Sequence, residues 1–262
     1  MNNDLTSMLD EWPFEPGQIN VRIIEGVDGL PRLQVRLDLG IIQMHVNGRP
    51  DGQRPFGFPS LLDYFEARLD EGSVPPDESD EPDPESDGEP ISPVTLTPED
   101  CKSLRDEALQ YYHRYIALLV LEDYEGVVRD TTRNLRVLDL CAQYAADDTD
   151  QTALEQFRAY IIMMRARALA SHALQSEEPK AALLAIDDGI EALRKCFEQQ
   201  NREGDFENSS EVQLLRSMRG ALIPQLPVSQ KAELRQRLAE AIAQENYELA
   251  AILRDELKML KE

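Results

Sequence analysis

The sequence has few basic residues for its length. Its 262 residues include 27 lysines and arginines against 50 aspartates and glutamates, which gives a formal net charge of -23. Nucleic-acid binding draws most of its affinity from basic side chains that displace counterions around phosphates. An anionic membrane surface attracts the same side chains. The charge therefore argues against nucleic acid and against a membrane as direct partners.

Long apolar runs are also lacking. No stretch of about 18 uncharged apolar residues is present, and the first residues carry no basic segment followed by an apolar one. We therefore expect a cytoplasmic protein. The three cysteines, Cys101, Cys141 and Cys196, are far apart and form no CxxC pair. We expect reduced, mostly buried thiols that hold no zinc and carry out no dithiol chemistry.

Recognisable catalytic patterns are missing as well. His45, His113 and His172 are solitary, and neither HExxH nor GxSxG occurs. Acidic doublets such as Asp147-Asp148 and Glu177-Glu178 fall at predicted helix boundaries, where solvated charge is the ordinary state. We expect no enzyme activity, no cofactor and no metal. The alternative that stays open is an enzyme or regulator with a ligand site in the N-terminal part.

The first 17 residues are polar and contain two prolines and a glycine, which predicts a flexible leader. Trp12 and Phe14 are its two aromatic residues, and a short docking motif is one interpretation of them. We expect both to pack onto the segment that follows, because a lone exposed tryptophan costs free energy in water.

Residues 18–70 predict a small α/β unit. Three β-prone runs, at 21–24, 33–39 and 41–46, predict a small antiparallel sheet. The middle run alternates apolar and polar residues, which places its apolar members on one face of a half-buried strand. These members are Leu33, Val35, Leu37 and Leu39.

An amphipathic helix over residues 61–69 is expected to cap this sheet. The loop at 47–52 is interpreted as a plain turn, since it lacks the spacing of a phosphate-binding loop. A unit of about 50 residues is near the lower size for independent folding, so we expect it to lean on another part of the chain or on a second copy.

Residues 71–97 predict an acidic linker. Ten acidic residues and no basic ones lie between Asp70 and Glu89, together with several prolines. Such a segment cannot bury enough apolar surface to offset its chain entropy, so we expect it to be disordered.

Residues 98–224 predict a helical bundle that begins with Thr97 as N-cap. Helical runs are expected at 104–121, 124–144, 152–174, 179–200 and 212–222. Two turns about 55 residues apart, near Tyr124 and near Ala181, resemble those of tetratricopeptide hairpins. Such an array binds peptides or protein surfaces. A plain bundle without a groove is an equally good interpretation. Tyr111, Tyr112 and Tyr115 are expected to be core residues, with a groove lining as the alternative.

The last segment, residues 228–262, predicts a pair of short helices. Leu234, Leu238, Ala241 and Ile242 form one apolar stripe in the first helix. The second helix carries the run Tyr247-Glu248-Leu249-Ala250-Ala251-Ile252-Leu253-Arg254-Asp255, followed by Leu257 and Leu260. This spacing resembles the UVR motif, whose second helix typically reads aromatic-Glu-x-Ala-Ala-x-Leu-Arg-Asp. The resemblance covers about one seventh of the chain.

The resemblance implies a helical hairpin that packs against a hairpin of another protein or against itself. In this family, such hairpins join the two excision-repair subunits, and others occur in Clp-type ATPases and in the activator of the bacterial protein-arginine kinase. That activator also has CxxC zinc sites, which this sequence lacks. The partner-binding residues that we expect are Leu238, Ile242, Tyr247, Ala251, Arg254 and Leu257.

The sequence as a whole predicts an α+β protein that is mostly α. Its expected parts are a small N-terminal antiparallel sheet with one helix, a disordered acidic linker, a tetratricopeptide-like helical array and a C-terminal UVR hairpin. The leading functional hypothesis is a non-enzymatic adaptor for protein–protein interaction. The alternative partner is the UvrB- or UvrC-type protein itself, which implies an accessory role in nucleotide excision repair.

Overall fold

The computed structural model describes residues 4–73 and 95–223, together with Leu238, Ala239, Ile242, Ala243 and Arg254. The chain divides into two compact units, Met1–Arg219 and Gly220–Glu262. The first unit is mostly helical and contains a three-stranded antiparallel sheet, which confirms the fold class expected from the sequence. The domain boundaries proposed above stay a prediction.

The sheet is a meander of three strands. β1 (Asn20–Glu25) pairs with β2 (Pro31–Leu37), and β2 pairs with β3 (Gly40–His45). Val35 in the central strand lies opposite Val21 on one side and Ile42 on the other. The β1–β2 turn includes Gly29, whose φ of +75° is a conformation that glycine adopts without a steric penalty.

The central strand is buried on both faces, and not on one face as its alternation predicts. Leu33 and Val35 are buried as expected, but Arg32, Gln34 and Arg36 on the opposite face are buried too. Gln34 accepts a hydrogen bond from Arg22 and donates one to Gln43. Arg22, Gln34 and Gln43 thus form a chain of hydrogen bonds across the three strands on this face.

The prediction was wrong for the two leucines that end the alternating run. Leu37 is 43% exposed and Leu39 is 87% exposed. Leu37 ends β2, and Leu39 lies in the turn between β2 and β3. Both are therefore at the end of the sheet, away from the buried Leu33 and Val35.

The leader is more ordered than expected, since Thr6–Glu11 forms the short helix α1. Trp12 packs on the sheet as predicted: the Arg22 guanidinium lies 4.1 Å from its ring centroid. The buried Arg36 donates from Nε to the Trp12 carbonyl over 2.8 Å. These two contacts hold the leader to β1 and β2.

Helix α2 (Leu61–Ser73) does not use its buried residues to cap the sheet, so that prediction was wrong. Leu62 and Phe65 instead join a cluster with residues of the two following helices, among them Leu104 and Val137. The hydrophobic stripe of a short helix indicates that it packs, but not on which neighbour.

Residues 71–97 agree only partly with a disordered linker. Helix α2 continues through Ser73. Leu96 is buried, donates its amide to the Tyr144 carbonyl, and accepts from the Ala146 amide. Residues 74–94, which carry most of the acidic run, lie outside the described residues.

Five long helices follow, close to the expected runs: α3 (Pro98–Val120), α4 (Tyr124–Tyr144), α6 (Arg158–Gln175), α7 (Pro179–Gln199) and α8 (Ser210–Leu222). Thr97 caps α3 through a reciprocal capping box with Asp100. The sequence missed the short helix α5 (Asp148–Thr152), which Asp147 caps, and α6 begins at Arg158 and not at 152.

Helices α3/α4 and α6/α7 form two hairpins with the same turn. In the first turn, Glu122 has a φ of +59° and the Asp123 amide donates to the Leu118 carbonyl. In the second turn, Glu177 has a φ of +58° and the Glu178 amide donates to the Ala173 carbonyl. This is the hydrogen-bond pattern of a Schellman-type helix end. Helix α4 packs on α6, which joins the hairpins.

The sheet is attached to helices α3 and α4, as its small size predicts. The Arg114 guanidinium on α3 donates from Nη1 to the carbonyls of His45 and Gly48, over 3.1 and 2.6 Å. Arg129 on α4 donates to the Val46 carbonyl. The loop after β3, interpreted as a plain turn from its sequence, thus attaches the sheet to the helices.

Candidate functional site

Three of the six expected partner-binding residues lie among the described residues. Leu238, Ile242 and Arg254 are all helical. Leu238 is partly buried, Arg254 is exposed, and Ile242 is 53% exposed. Positions four apart share one face of a helix, so Leu238 and Ile242 form a continuous apolar stripe with one exposed end. Their role in binding stays a prediction.

The other three, Tyr247, Ala251 and Leu257, lie outside the described residues. Their assignment depends on the sequence pattern.

A groove between α3, α4 and α6 is a large concave feature of the described part of the chain. It encloses about 690 Å³ and is closed at one side by residues 153–157. This volume is within the range of ligand pockets. The apolar lining consists of Ala108, Leu109, Tyr112, Tyr115, Leu138, Ala153, Leu154, Phe157, Tyr160 and Ile161.

Three tyrosines form one wall of this groove. Tyr112 meets Tyr115 edge-on, with ring centroids 5.4 Å apart, and lies 6.5 Å from Tyr160. Burial raises the pKa of the Tyr115 hydroxyl and, to a lesser degree, that of Tyr160, because the charged phenolate is disfavoured away from water. These hydroxyls are therefore neutral at physiological pH.

The tyrosine cluster of α3 divides between two environments. Tyr115 is buried, which agrees with the core prediction, but it also lines the groove together with the partly exposed Tyr112. Tyr111 is buried elsewhere, with the guanidinium groups of Arg114 and Arg133 4.8 and 4.2 Å from its ring centroid. Tyr160, which completes the groove wall, was not predicted because it comes from a helix 48 residues further along the chain.

Most polar residues around the groove already form ion pairs or hydrogen bonds within the chain. Arg105 and Asp150 form an ion pair of 2.5 Å between Nη1 and Oδ1. Asn134 is buried, donates to the Ala108 carbonyl and accepts from Arg133. Asp106 is the exception: it is exposed at the rim, and no ion pair with another described residue neutralises it.

A buried ionic network joins α3, α4 and the loop after β3. Glu107 is fully buried, accepts from Arg133, and also accepts the Leu61 amide over 3.0 Å. Arg49 lies 3.4 Å from the same carboxylate. Burial lowers the pKa of the Arg133 guanidinium, and the charge of Glu107 opposes that shift. Glu107 is thus held by two arginines and a backbone amide, and the network ties α3 to α4 and to the loop after β3.

This network was not predicted from the sequence. The available signal was that Glu107 and Arg114 are seven residues apart, on the same stripe of α3 as Leu104, Tyr111 and Leu118. Charged residues on an apolar stripe are buried in pairs when they are buried at all.

The three cysteines are free and buried, as expected. Burial raises the pKa of each thiol, in the case of Cys141 to about 12. The described residues contain no group of three or more His, Cys, Asp or Glu side chains placed to hold a metal ion. None of the helices in the described ranges combines the length and apolarity that a membrane crossing needs.

The fold defines a mostly helical protein with a small three-stranded sheet. The family model described as UvrB/uvrC motif, UVR, matches residues 229–262. The chain therefore carries a UVR motif near its C-terminus, a hairpin known to mediate protein interactions. Comparisons with curated proteins and with solved structures gave no match.

Proposed function

We propose that this chain is a non-enzymatic cytoplasmic adaptor that docks onto a partner through its UVR hairpin. The match of residues 229–262 to the UVR family carries this proposal. A hairpin of two short helices buries one stripe between them but cannot cover its outer apolar edges alone. Those edges are satisfied by a second helical pair, from another protein or from a second copy of this chain.

The residues that we assign to docking are Leu238, Ile242, Tyr247, Ala251, Arg254 and Leu257. The exposed fraction of Ile242, 53%, supports this assignment because a branched apolar side chain gains free energy when a partner covers it. The helical array supplies a second binding surface, for which the groove between α3, α4 and α6 is the candidate.

The test is partner capture from native lysate by the tagged full-length chain and two variants. Ala251→Glu places a charge on the expected interface and should abolish capture while the far-UV helical signal survives. Ala239→Glu introduces the same charge at an exposed helical position outside the predicted stripe, so capture should persist. Capture by Ala251→Glu at the wild-type level would refute the proposal. Sedimentation of the purified chain at several concentrations separates pairing with a second copy from pairing with another protein.

A second candidate is an accessory role in nucleotide excision repair. The observation that favours it is the identity of the motif, which is that of UvrB and UvrC. Sensitivity of a deletion strain to ultraviolet damage, reversed by the wild-type chain but not by Ala251→Glu, would support it. Normal survival of the deletion strain would instead favour an adaptor in another pathway.

A further inference from the structure

We propose that the groove between α3, α4 and α6 binds the apolar stripe of a positively charged amphipathic helix from a partner protein. This inference rests on the second half of the proposed function, in which the helical array supplies a binding surface of its own. It concerns residues of the first compact unit and does not depend on the UVR hairpin.

Large apolar side chains are exposed at the rim of the groove. Leu109, Tyr112 and Phe157 are 53%, 38% and 50% exposed, and all three border the same concavity. Scattered exposed apolar residues are normal, but large ones grouped around a cavity indicate an interaction site. Aromatic and aliphatic anchors beside a pocket are also the composition of interface hot spots.

The floor of the groove is already formed. Tyr115, Leu138 and Ile161 are buried between the helices that carry them, so an incoming side chain meets fixed walls. A preformed site avoids the entropy cost of ordering the receptor. The volume of about 690 Å³ accommodates several large side chains from one partner surface.

The chemistry of the walls favours a helix as the occupant. The groove is walled mainly by helices, whose backbone groups bond internally, so an extended peptide finds no strand edge to pair with. Asn134, the buried amide of the wall, already donates and accepts hydrogen bonds within the chain. Asn134 therefore offers a small polar ligand no free anchor, whereas the apolar stripe of a helix needs none.

The charge at the rim of the groove favours a positively charged partner. Asp150 neutralises Arg105, which leaves Asp106 as an exposed and unpaired carboxylate among the described lining residues. The chain as a whole has a formal charge of -23. Complementary potentials speed encounter and exclude partners of like charge. Lysines or arginines beside the apolar stripe of the partner thus meet Asp106.

The experiment measures binding of three labelled synthetic peptides to the full-length chain by fluorescence anisotropy at physiological salt. Each peptide has about 15 residues, or four helical turns. The first carries leucines at helical spacing with lysines elsewhere, the second has the same leucines with glutamates, and the third replaces the leucines of the first by serines. We expect saturable binding of the first peptide only. Equal binding of the glutamate or the serine peptide, or no binding of the first, overturns the proposal.

Two groove variants and one control locate the site. Leu109→Ser and Phe157→Ser change exposed side chains and should weaken binding of the leucine–lysine peptide at least about tenfold. Leu184→Ser changes a leucine that is 61% exposed on α7, beside a smaller groove, and should leave binding unchanged. Loss of binding in Leu184→Ser, with binding retained in Leu109→Ser, would contradict the assignment.

Failure of this inference is distinguishable from failure of the proposed adaptor function. Leu109→Ser should still capture the UVR partner, and Ala251→Glu should still bind the leucine–lysine peptide. If peptide binding is lost in Ala251→Glu and kept in Leu109→Ser, the peptide occupies the C-terminal hairpin and the groove has no such role. Unchanged melting temperatures of the variants exclude unfolding as the cause.

Discussion

Arg114 and Asp130 form a two-point ion pair that is almost completely buried. Arg114 Nε lies 2.7 Å from Asp130 Oδ2, and Nη2 lies 2.8 Å from Oδ1. The exposed fractions of the two side chains are 1% and 0%. The remaining guanidinium nitrogen, Nη1, reaches the loop that follows β3. One arginine therefore joins two helices and the sheet.

Asp130→Asn should destabilise the protein by about 3 to 5 kcal/mol, because it leaves the Arg114 charge buried without its partner. Urea unfolding followed by far-UV circular dichroism measures this change. The double variant Arg114→Met with Asp130→Leu should lose less stability than Asp130→Asn, since it removes both buried charges. Equal losses in the two proteins would show that the ion pair is not what the single variant disrupts.

Arg129→Gln is the matched control for this prediction. Arg129 also contacts Asp130, over 2.9 Å, but it is 43% exposed. In this variant the buried Asp130 keeps both bonds to Arg114, and water can replace the partly exposed Arg129 side chain, so the expected loss is smaller than that of Asp130→Asn.

Most helices were predictable from the sequence because their signals are local. The capping box at Thr97 and the turn before Tyr124 lie within a few residues of the helix ends that they fix. Leu37 and Leu39 were assigned to the wrong environment because the alternation of a strand does not show where it bends. The groove requires Tyr112 of α3 and Tyr160 of α6 to lie close to each other. Their proximity depends on how α4 packs on α6, which no local sequence pattern encodes.

The fragment of residues 1–73 should not fold alone. Leu62 and Phe65 of α2 pack among α3 and α4, and Arg114 and Arg129 hold the loop after β3. Without those helices the fragment exposes its core, and about 70 residues supply too little burial elsewhere. Its circular dichroism spectrum should be that of an unfolded chain, and adding residues 95–262 should restore structure. A cooperative melting transition of the isolated fragment would contradict this expectation.

All three thiols should be unreactive toward Ellman's reagent in the native protein at pH 8. The thiolate is the reactive species, and burial raises the pKa of Cys101, Cys141 and Cys196. At pH 8 a group with a pKa of about 12, such as Cys141, is almost entirely protonated. In denaturant all three should react within minutes, and this count is the control. Rapid labelling of one thiol without denaturant would mean that its surroundings open in the native state.

Gly189→Ala should destabilise the protein although alanine favours helix formation more than glycine does. A Cβ at position 189 of α7 lies 2.3 Å from the Cβ of Ala166 on α6 and 3.2 Å from Leu215 Cδ1 on α8. Overpacking of this kind costs about 1 to 3 kcal/mol, which exceeds the gain of about 1 kcal/mol in helix propensity. Thermal melting of Gly189→Ala should therefore show a lower Tm. Gly220→Ala on α8 is the matched control: among the described residues, no atom outside the neighbouring backbone of α8 lies within 4 Å of its added Cβ, so the Tm should rise slightly or stay unchanged. Combining Gly189→Ala with Ala166→Gly removes the contacting Cβ and should recover part of the loss. A Tm of Gly189→Ala equal to that of Gly220→Ala would mean that α6 and α7 separate enough to accommodate the added methyl group.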